Sequence, residues 1–320
     1  LPLNPLQGED AVKICVFGTG GVGGYFGARL AQCGADVTFI ARGDHLDAMR
    51  EDGLRVTSIA GDVRIYPVAA TDEPADVGEV DAVLLGVKAW QVREAAEAMG
   101  PLLGSETVVV PLQNGIETPD HLKAVIGGRH VAGGLCRIIS FIEVPGVIRH
   151  SGAKPFIAFG ELDNRPSRRM DRLRDWFSKA VGVDVVVKPD IQRAMWEKFV
   201  MISAWSGLGA ITRAPVGTLC RLPETRGLLT AMMDEAAAVA KARGSELGGG
   251  ISRQQLALMD TIPPETTTSM QRDLLLGRPS ELMEQNGAVV RLGGDRGIDT
   301  PVNAVVYYCL LPQELKARGL

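Results

Sequence analysis

No two cysteines in this chain stand in a CxxC spacing, and the five present (Cys15, Cys33, Cys136, Cys220 and Cys309) are scattered over 320 residues. An odd, dispersed set argues against a disulfide framework and for a reducing, cytoplasmic setting. The four histidines (His45, His121, His130 and His150) show no HExxH or other ligand spacing. No metal is therefore expected, and any electrophilic assistance must come from a side chain. A basic stripe is also missing: the net charge is −4, with 34 Lys and Arg spread along the sequence, so nucleic acid is not an expected partner. The longest apolar run, residues 199–211, contains Ser203, Ser206 and two glycines and follows Glu197 and Lys198. It is too short for a bilayer and reads as a buried helix, so no membrane partner is expected. The opening LPLNPLQGED has neither a basic n-region nor an apolar h-region. It does not read as a secretory signal, and residues 1–11 are expected to form a flexible tail.

What is present is ordinary globular composition, 46% hydrophobic and 22% charged, over a length that suits two domains. Short apolar runs alternate with helical patterns in the first half. Residues 12–17, 35–40, 81–85 and 107–110 read as strands, with helices over 21–34 and 91–99. That rhythm predicts βαβ units and a mostly parallel sheet. Residues 147–150 and 156–159 read as shorter, sheet-extending strands, followed by a helix over 166–180 and a strand over 183–187. After Lys188-Pro189 the strand signal stops. Helices are expected over 191–210, 223–243, 280–291 and 303–316. The predicted domains are thus an α/β unit over 12–188 and an all-α unit over 189–320. The Ala-rich stretch 231–242 could pack on the partner domain or on another subunit, which leaves a homodimer open.

Gly18-Thr19-Gly20-Gly21-Val22-Gly23 matches GxGxxG, directly after a strand and opening a helix. The first glycine permits the tight turn, the second lets backbone approach a pyrophosphate, and the third lets helix and strand pack closely. The helix N-terminus adds N–H donors and a positive dipole end. A dinucleotide-binding, Rossmann-type domain follows from that context. The second predicted strand ends Thr38-Phe39-Ile40-Ala41-Arg42, without the acid that usually holds a ribose 2′-hydroxyl. Arg42 can pair with a 2′-phosphate instead, so the expected cofactor is NADPH.

Beyond the glycine turn, Val87-Lys88-Ala89-Trp90-Gln91, Pro111-Leu112-Gln113-Asn114-Gly115, Trp196-Glu197-Lys198, Ser269-Met270-Gln271-Arg272-Asp273 and Ser280-Glu281-Leu282 follow in order. Together, from about residue 12 to 310, the chain resembles the ketopantoate reductase (2-dehydropantoate 2-reductase) family. The resemblance implies an NADP-dependent oxidoreductase that reduces ketopantoate to pantoate in pantothenate biosynthesis. It implies that Lys88 and Asn114 line the nicotinamide end of the site, and that Lys198 is the catalytic lysine. It further implies that Ser269 contacts substrate and that Glu281 stands where cofactor and substrate meet.

The chemistry fits those residue types. Reducing a 2-keto acid needs a face-on hydride donor, a proton for the forming alkoxide, and donors for the carboxylate. A lysine ammonium can stabilise the oxyanion and then release a proton to it. Taken alone, Lys198 is better explained as a snorkelling lysine or an ion-pair partner; the family match turns the reading to catalysis. Glu281 alone could be a first-turn acid behind a Ser280 cap, Asn114-Gly115 an ordinary turn, and Lys88 a solvated strand end. The sequence departs from the family where asparagines commonly sit one and two helical turns after the lysine: here these substrate-facing positions are Ile202 and Ser206. Loss of a partner for a buried substrate hydroxyl costs about 1–3 kcal/mol. A D-2-hydroxy acid dehydrogenase acting on a more apolar 2-keto acid is therefore the alternative. From another class, a non-catalytic NADPH-binding redox sensor would need Gly18, Gly20, Gly23 and Arg42 but not Lys198 or Glu281.

Overall fold

A strand buried on both sides has to be apolar along its whole length, and Lys13–Phe17 (β1), with Ile14 to Phe17 all buried, is the centre of a five-stranded parallel sheet. The computed structural model describes residues 12–320, so the tail expected over 1–11 lies outside the described residues. Alternate residues of β1 enter different cores: Ile14 and Val16 join one apolar cluster, Cys15 and Phe17 the other.

After β1 come helix α1 (Gly21–Gln32), β2 (Asp36–Ile40), α2 (Gly43–Asp52), β3 (Leu54–Ser58), β4 (Val63–Ile65) and β5 (Ala69–Thr71). They are followed by β6 (Val80–Leu85), α3 (Val92–Ala98), β7 (Leu103–Pro111), α4 (Thr118–Ile126), β8 (Ala132–Val144) and β9 (Val147–Glu161), and then α5 (Arg168–Lys179) and β10 (Asp184–Val187). The first sheet has the order β5-β2-β1-β6-β7, all parallel. Strand order therefore reverses between β1 and β6, and ligands of such sheets bind outside the strand ends at that switch. The second sheet, β10-β9-β3-β4 with β8 on β9, packs on α1 and α5. Helix α5 shows why: Ser167 caps it by accepting from Met170 N at 3.3 Å, and Met170, Leu173 and Phe177 line its buried face.

The parallel Rossmann-like sheet is the predicted one, but parts of this unit differ from the sequence expectation. The two short strands expected at 147–150 and 156–159 are one continuous strand, β9. Against β8, residues 152–155 face a register shift between Arg137 and Ile139, so Gly152 and Pro155 sit in a bulge rather than end the strand. Helices α2 and α4 and the strands β3, β4, β5 and β8 add to the expected set; β3, β4 and β5, at three to five residues, are too short to show alternation.

The helical elements are α6 (Ile191–Thr212), α7 (Val216–Arg221), α8 (Pro223–Ala242), α9 (Ile251–Met259), α10 (Ser269–Leu275), α11 (Asn286–Gly294) and α12 (Pro301–Ala317). Residues 12–113 with 118–191 form one compact unit, and Asn114–Glu117 with Gln192–Leu320 form the other. The apolar run of α6 is central to the second unit, with Trp196, Phe199, Val200 and Ala204 in its core. The Ala-rich face of α8 is used inside the same core, through Ala236, Val239 and Ala240. Among the described residues no helix is long and apolar enough to cross a membrane.

The helix expected over 280–291 begins only at Asn286. Gln285, with φ −107° and ψ −92°, is outside the helical region, and the Ser280 N–H is committed to the Glu314 carboxylate at 3.0 and 3.1 Å. Glu281 therefore lies in a turn ahead of α11, not in its first helical turn.

Candidate active site

In the first unit the glycine turn is built almost entirely from backbone. Gly18 leaves β1 with φ +98°, and its N–H and that of Thr19 both donate to the Ile40 carbonyl, at 3.2 and 3.0 Å. The Thr19 hydroxyl donates to the same carbonyl at 2.9 Å, tying the turn to the end of β2. A side chain at Gly18 would strike Val87 N at 2.6 Å, and one at Gly23 would lie 2.2 Å from the Gly18 carbonyl. Gly20 differs: a Cβ there would meet nothing within 4 Å. Gly20 is the N-cap of α1, Gly21, Val22 and Gly23 form the first turn, no side chain caps the helix, and no acid lies in that turn. The open space beside Gly20 and the helix N-terminus together fit a dinucleotide pyrophosphate.

Arg42 follows β2 as the N-cap of α2 and pairs with Glu94 of α3 at 3.1 Å, both side chains more than 60% exposed. A pair so exposed is worth little and can yield to a phosphate. Lys88 is half-buried three residues after β6, and its N–H is held by the Gln91 side chain at 3.2 Å. Gln113 staples the ends of β6 and β7, donating to the Leu85 and Val87 carbonyls at 2.8 and 2.9 Å.

The second unit holds the candidate catalytic and substrate-facing side chains. Lys198 and Ile202 are half-buried on α6, and Ile202 packs on the apolar core. Ser206 is fully buried, and among the described residues its Oγ has no hydrogen-bond partner. Ser269 opens α10 behind the Thr268 cap, which accepts from Gln271 N at 3.2 Å. Glu281 is 5% exposed, and the Asn114 amide donates to its Oε2 at 3.3 Å. These two residues, 167 positions apart, are brought together.

Gln285, outside the family motifs, donates to the same Oε2 at 3.4 Å. Its signal in the sequence is a spacing of four from Glu281, which places both on one side of a helical turn. In the same segment, Glu284 lies 3.7 Å from Arg318, whose guanidinium is also engaged by Glu314 at 2.6 Å. Burial pushes the Glu284 carboxyl up to about 7, against the pull of Arg318 and with the charges of Glu281 and Glu314 adding to the rise.

A parallel sheet with an open glycine turn and a separate set of buried polar side chains defines a dinucleotide-dependent oxidoreductase by class. The ketopantoate reductase PanE/ApbA family model matches residues 14–164, and its C-terminal counterpart matches residues 190–314. A 2-dehydropantoate 2-reductase of Mesorhizobium japonicum is 32% identical over 315 residues, covering 92% of this chain and 94% of its own. The crystal structure of a 2-dehydropantoate 2-reductase from Geobacter metallireducens superposes with a TM-score of 0.87 at 32% identity, over 94% of this chain and 99% of that one. A ternary structure of D-mandelate dehydrogenase with NADH and anilino(oxo)acetate reaches a TM-score of 0.86 over 96% and 99% of the two chains; at 22% identity it shows the shared fold alone. The chain belongs to the ketopantoate reductase family, whose members are oxidoreductases acting on CH–OH donors.

Proposed function

We propose that this protein reduces a 2-keto acid to the 2-hydroxy acid with NADPH, ketopantoate to pantoate being the first substrate to test. The observation that carries the reading is the meeting of Asn114 with the buried Glu281 carboxylate at 3.3 Å, two distant residues that the family motifs separately assign to the reacting end of the ligands. NADPH, when bound, supplies the hydride. The turn Gly18 to Gly23 holds its pyrophosphate, Arg42 its 2′-phosphate, and Lys88 and Asn114 its nicotinamide half. Lys198 presents an ammonium to the substrate carbonyl oxygen, stabilises the forming alkoxide and delivers the proton. Glu281 orients the reacting groups, and Ser269 donates to the substrate. The scattered cysteines support a reducing, cytoplasmic setting.

A second reading rests on Ile202 and Ser206. Ile202 is packed on an apolar core and offers no hydrogen bond, one turn beyond Lys198. That favours a substrate with a more apolar side chain, as in a D-2-hydroxy acid dehydrogenase. Steady-state NADPH oxidation with ketopantoate, branched and aromatic 2-keto acids separates the readings. Turnover of ketopantoate supports the first, and turnover of the apolar acids without ketopantoate supports the second. If no 2-keto acid is reduced, both fall and the redox sensor takes their place.

A further inference from the structure

Asn114 and Gln285 both donate to Glu281, and the family motifs account for Asn114 but not for Gln285. Gln285 is 0% exposed, and its Nε2 sits 3.4 Å from the same carboxylate oxygen that receives the Asn114 amide. Its own backbone is fixed: Gln285 N donates to the Glu281 carbonyl at 2.9 Å and closes one turn between the two residues. The segment is pinned at both ends. Ser280 is tied to Glu314, and Asn286 donates to the Ser203 carbonyl and to Asn303 Oδ1, each at 3.1 Å. Asn303 in turn donates to Glu235 at 2.7 Å. Four helices (α6, α8, α11 and α12) thereby fix the point from which the Gln285 side chain reaches Glu281.

The other end of that amide is informative. Among the described residues, Gln285 Oε1 is buried and has no hydrogen-bond partner. A side chain present only to fill space would do so better as methionine or leucine, because an unmet buried acceptor is destabilising. Rotating the amide would set its oxygen against the carboxylate, so the charge fixes which end faces Glu281. What the amide contributes is its donor.

We propose that Gln285 is a positioning residue for Glu281, fixing that carboxylate jointly with Asn114 and so aligning it for catalysis. The inference rests on the proposed role of Glu281 and deepens it. Acting through Glu281, Gln285 should matter only while Glu281 is present.

The test is a double-mutant cycle with Gln285→Met, Glu281→Gln and the double variant, read as kcat and KM for the reduced 2-keto acid, the Kd of NADPH by fluorescence, and Tm. Gln285→Met is expected to lower kcat roughly tenfold, the scale of one hydrogen bond to a charged group. In the Glu281→Gln background the same change is expected to alter kcat and NADPH affinity less than about twofold. Equal losses in both backgrounds would mean a merely structural role and overturn the proposal, as would wild-type kcat in Gln285→Met. If the methionine variant does not fold, Gln285→Glu keeps the shape and replaces the donor with an acceptor; unchanged kcat there also overturns it. Should Glu281→Gln itself leave turnover untouched, the proposed function fails. A loss in Glu281→Gln without one in Gln285→Met sinks this inference alone.

Discussion

The glycine turn and the Glu281 site are built in opposite ways. The turn at residues 18–23 is local backbone: its carbonyls and N–H groups do the positioning, and its side chains matter mainly by being absent. The carboxylate site is assembled from side chains at residues 114, 281 and 285, on segments that meet only after the helical unit folds. A backbone site tolerates little change in shape, whereas a side-chain site can be retuned one group at a time. On the proposed function, Ile202 and Ser206 are the positions at which such retuning would act.

Lys198→Ala gives the sharpest separation of the two regions. Turnover should fall by about 10²- to 10⁴-fold, the range for a lost general acid. NADPH affinity, measured by fluorescence titration, should stay near wild type; a parallel collapse of affinity would break the division of labour. Within the turn itself, Gly23→Ala should destabilise the fold by roughly 1–3 kcal/mol, because its Cβ would land 2.2 Å from a carbonyl that cannot move away. Gly20→Ala should leave Tm almost unchanged and weaken NADPH roughly tenfold, since its Cβ enters the space left for the pyrophosphate. Similar Tm losses in the two variants would mean that the space beside Gly20 is not a cradle.

Arg42→Ala should weaken NADPH by about tenfold or somewhat more while barely changing NADH. Equal losses for both cofactors would remove the 2′-phosphate role. The last comparison concerns Glu284, in the helical unit. Its folded pKa of about 7 stands above the ordinary 4.5, so its contribution to stability is complete below 4.5, declines as pH rises between them, and is lost above 7. Glu284→Gln should flatten that part of the Tm–pH curve and leave the variant more stable at pH 8, by at most about 3 kcal/mol. An unchanged slope between pH 5 and 8 would refute it.

The same contrast explains what the sequence made legible. The parallel sheet and the strand–turn–helix context of the glycine motif could be read because their signals lie within a few residues of each other. Glu281 and Asn114 could be named only through family motifs, since nothing local tells either residue about the other. Gln285 stayed hidden because its signal, a spacing of four from Glu281, acquires meaning only once Glu281 itself has been singled out. Glu281 was assigned to a helical turn because residues 280–291 have helical periodicity; the regular helix is interrupted at Gln285, whose φ of −107° and ψ of −92° lie outside the helical region, and no local propensity encodes that break. The joined strand β9 was hidden by Gly152 and Pro155, which punctuate a strand in most contexts but here occupy a bulge.

Asn114–Glu117 belongs to the compact unit otherwise formed by residues 192–320. A graft that exchanged the helical half between two relatives at residue 188 would leave those four residues behind, and with them the Asn114 donor to Glu281 and the Ile116 contact with the helical core. During synthesis they leave the ribosome well before any helix they will join. A working chimera in this family therefore needs three junctions, two of them flanking Asn114–Glu117 just after β7 and the third near residue 191.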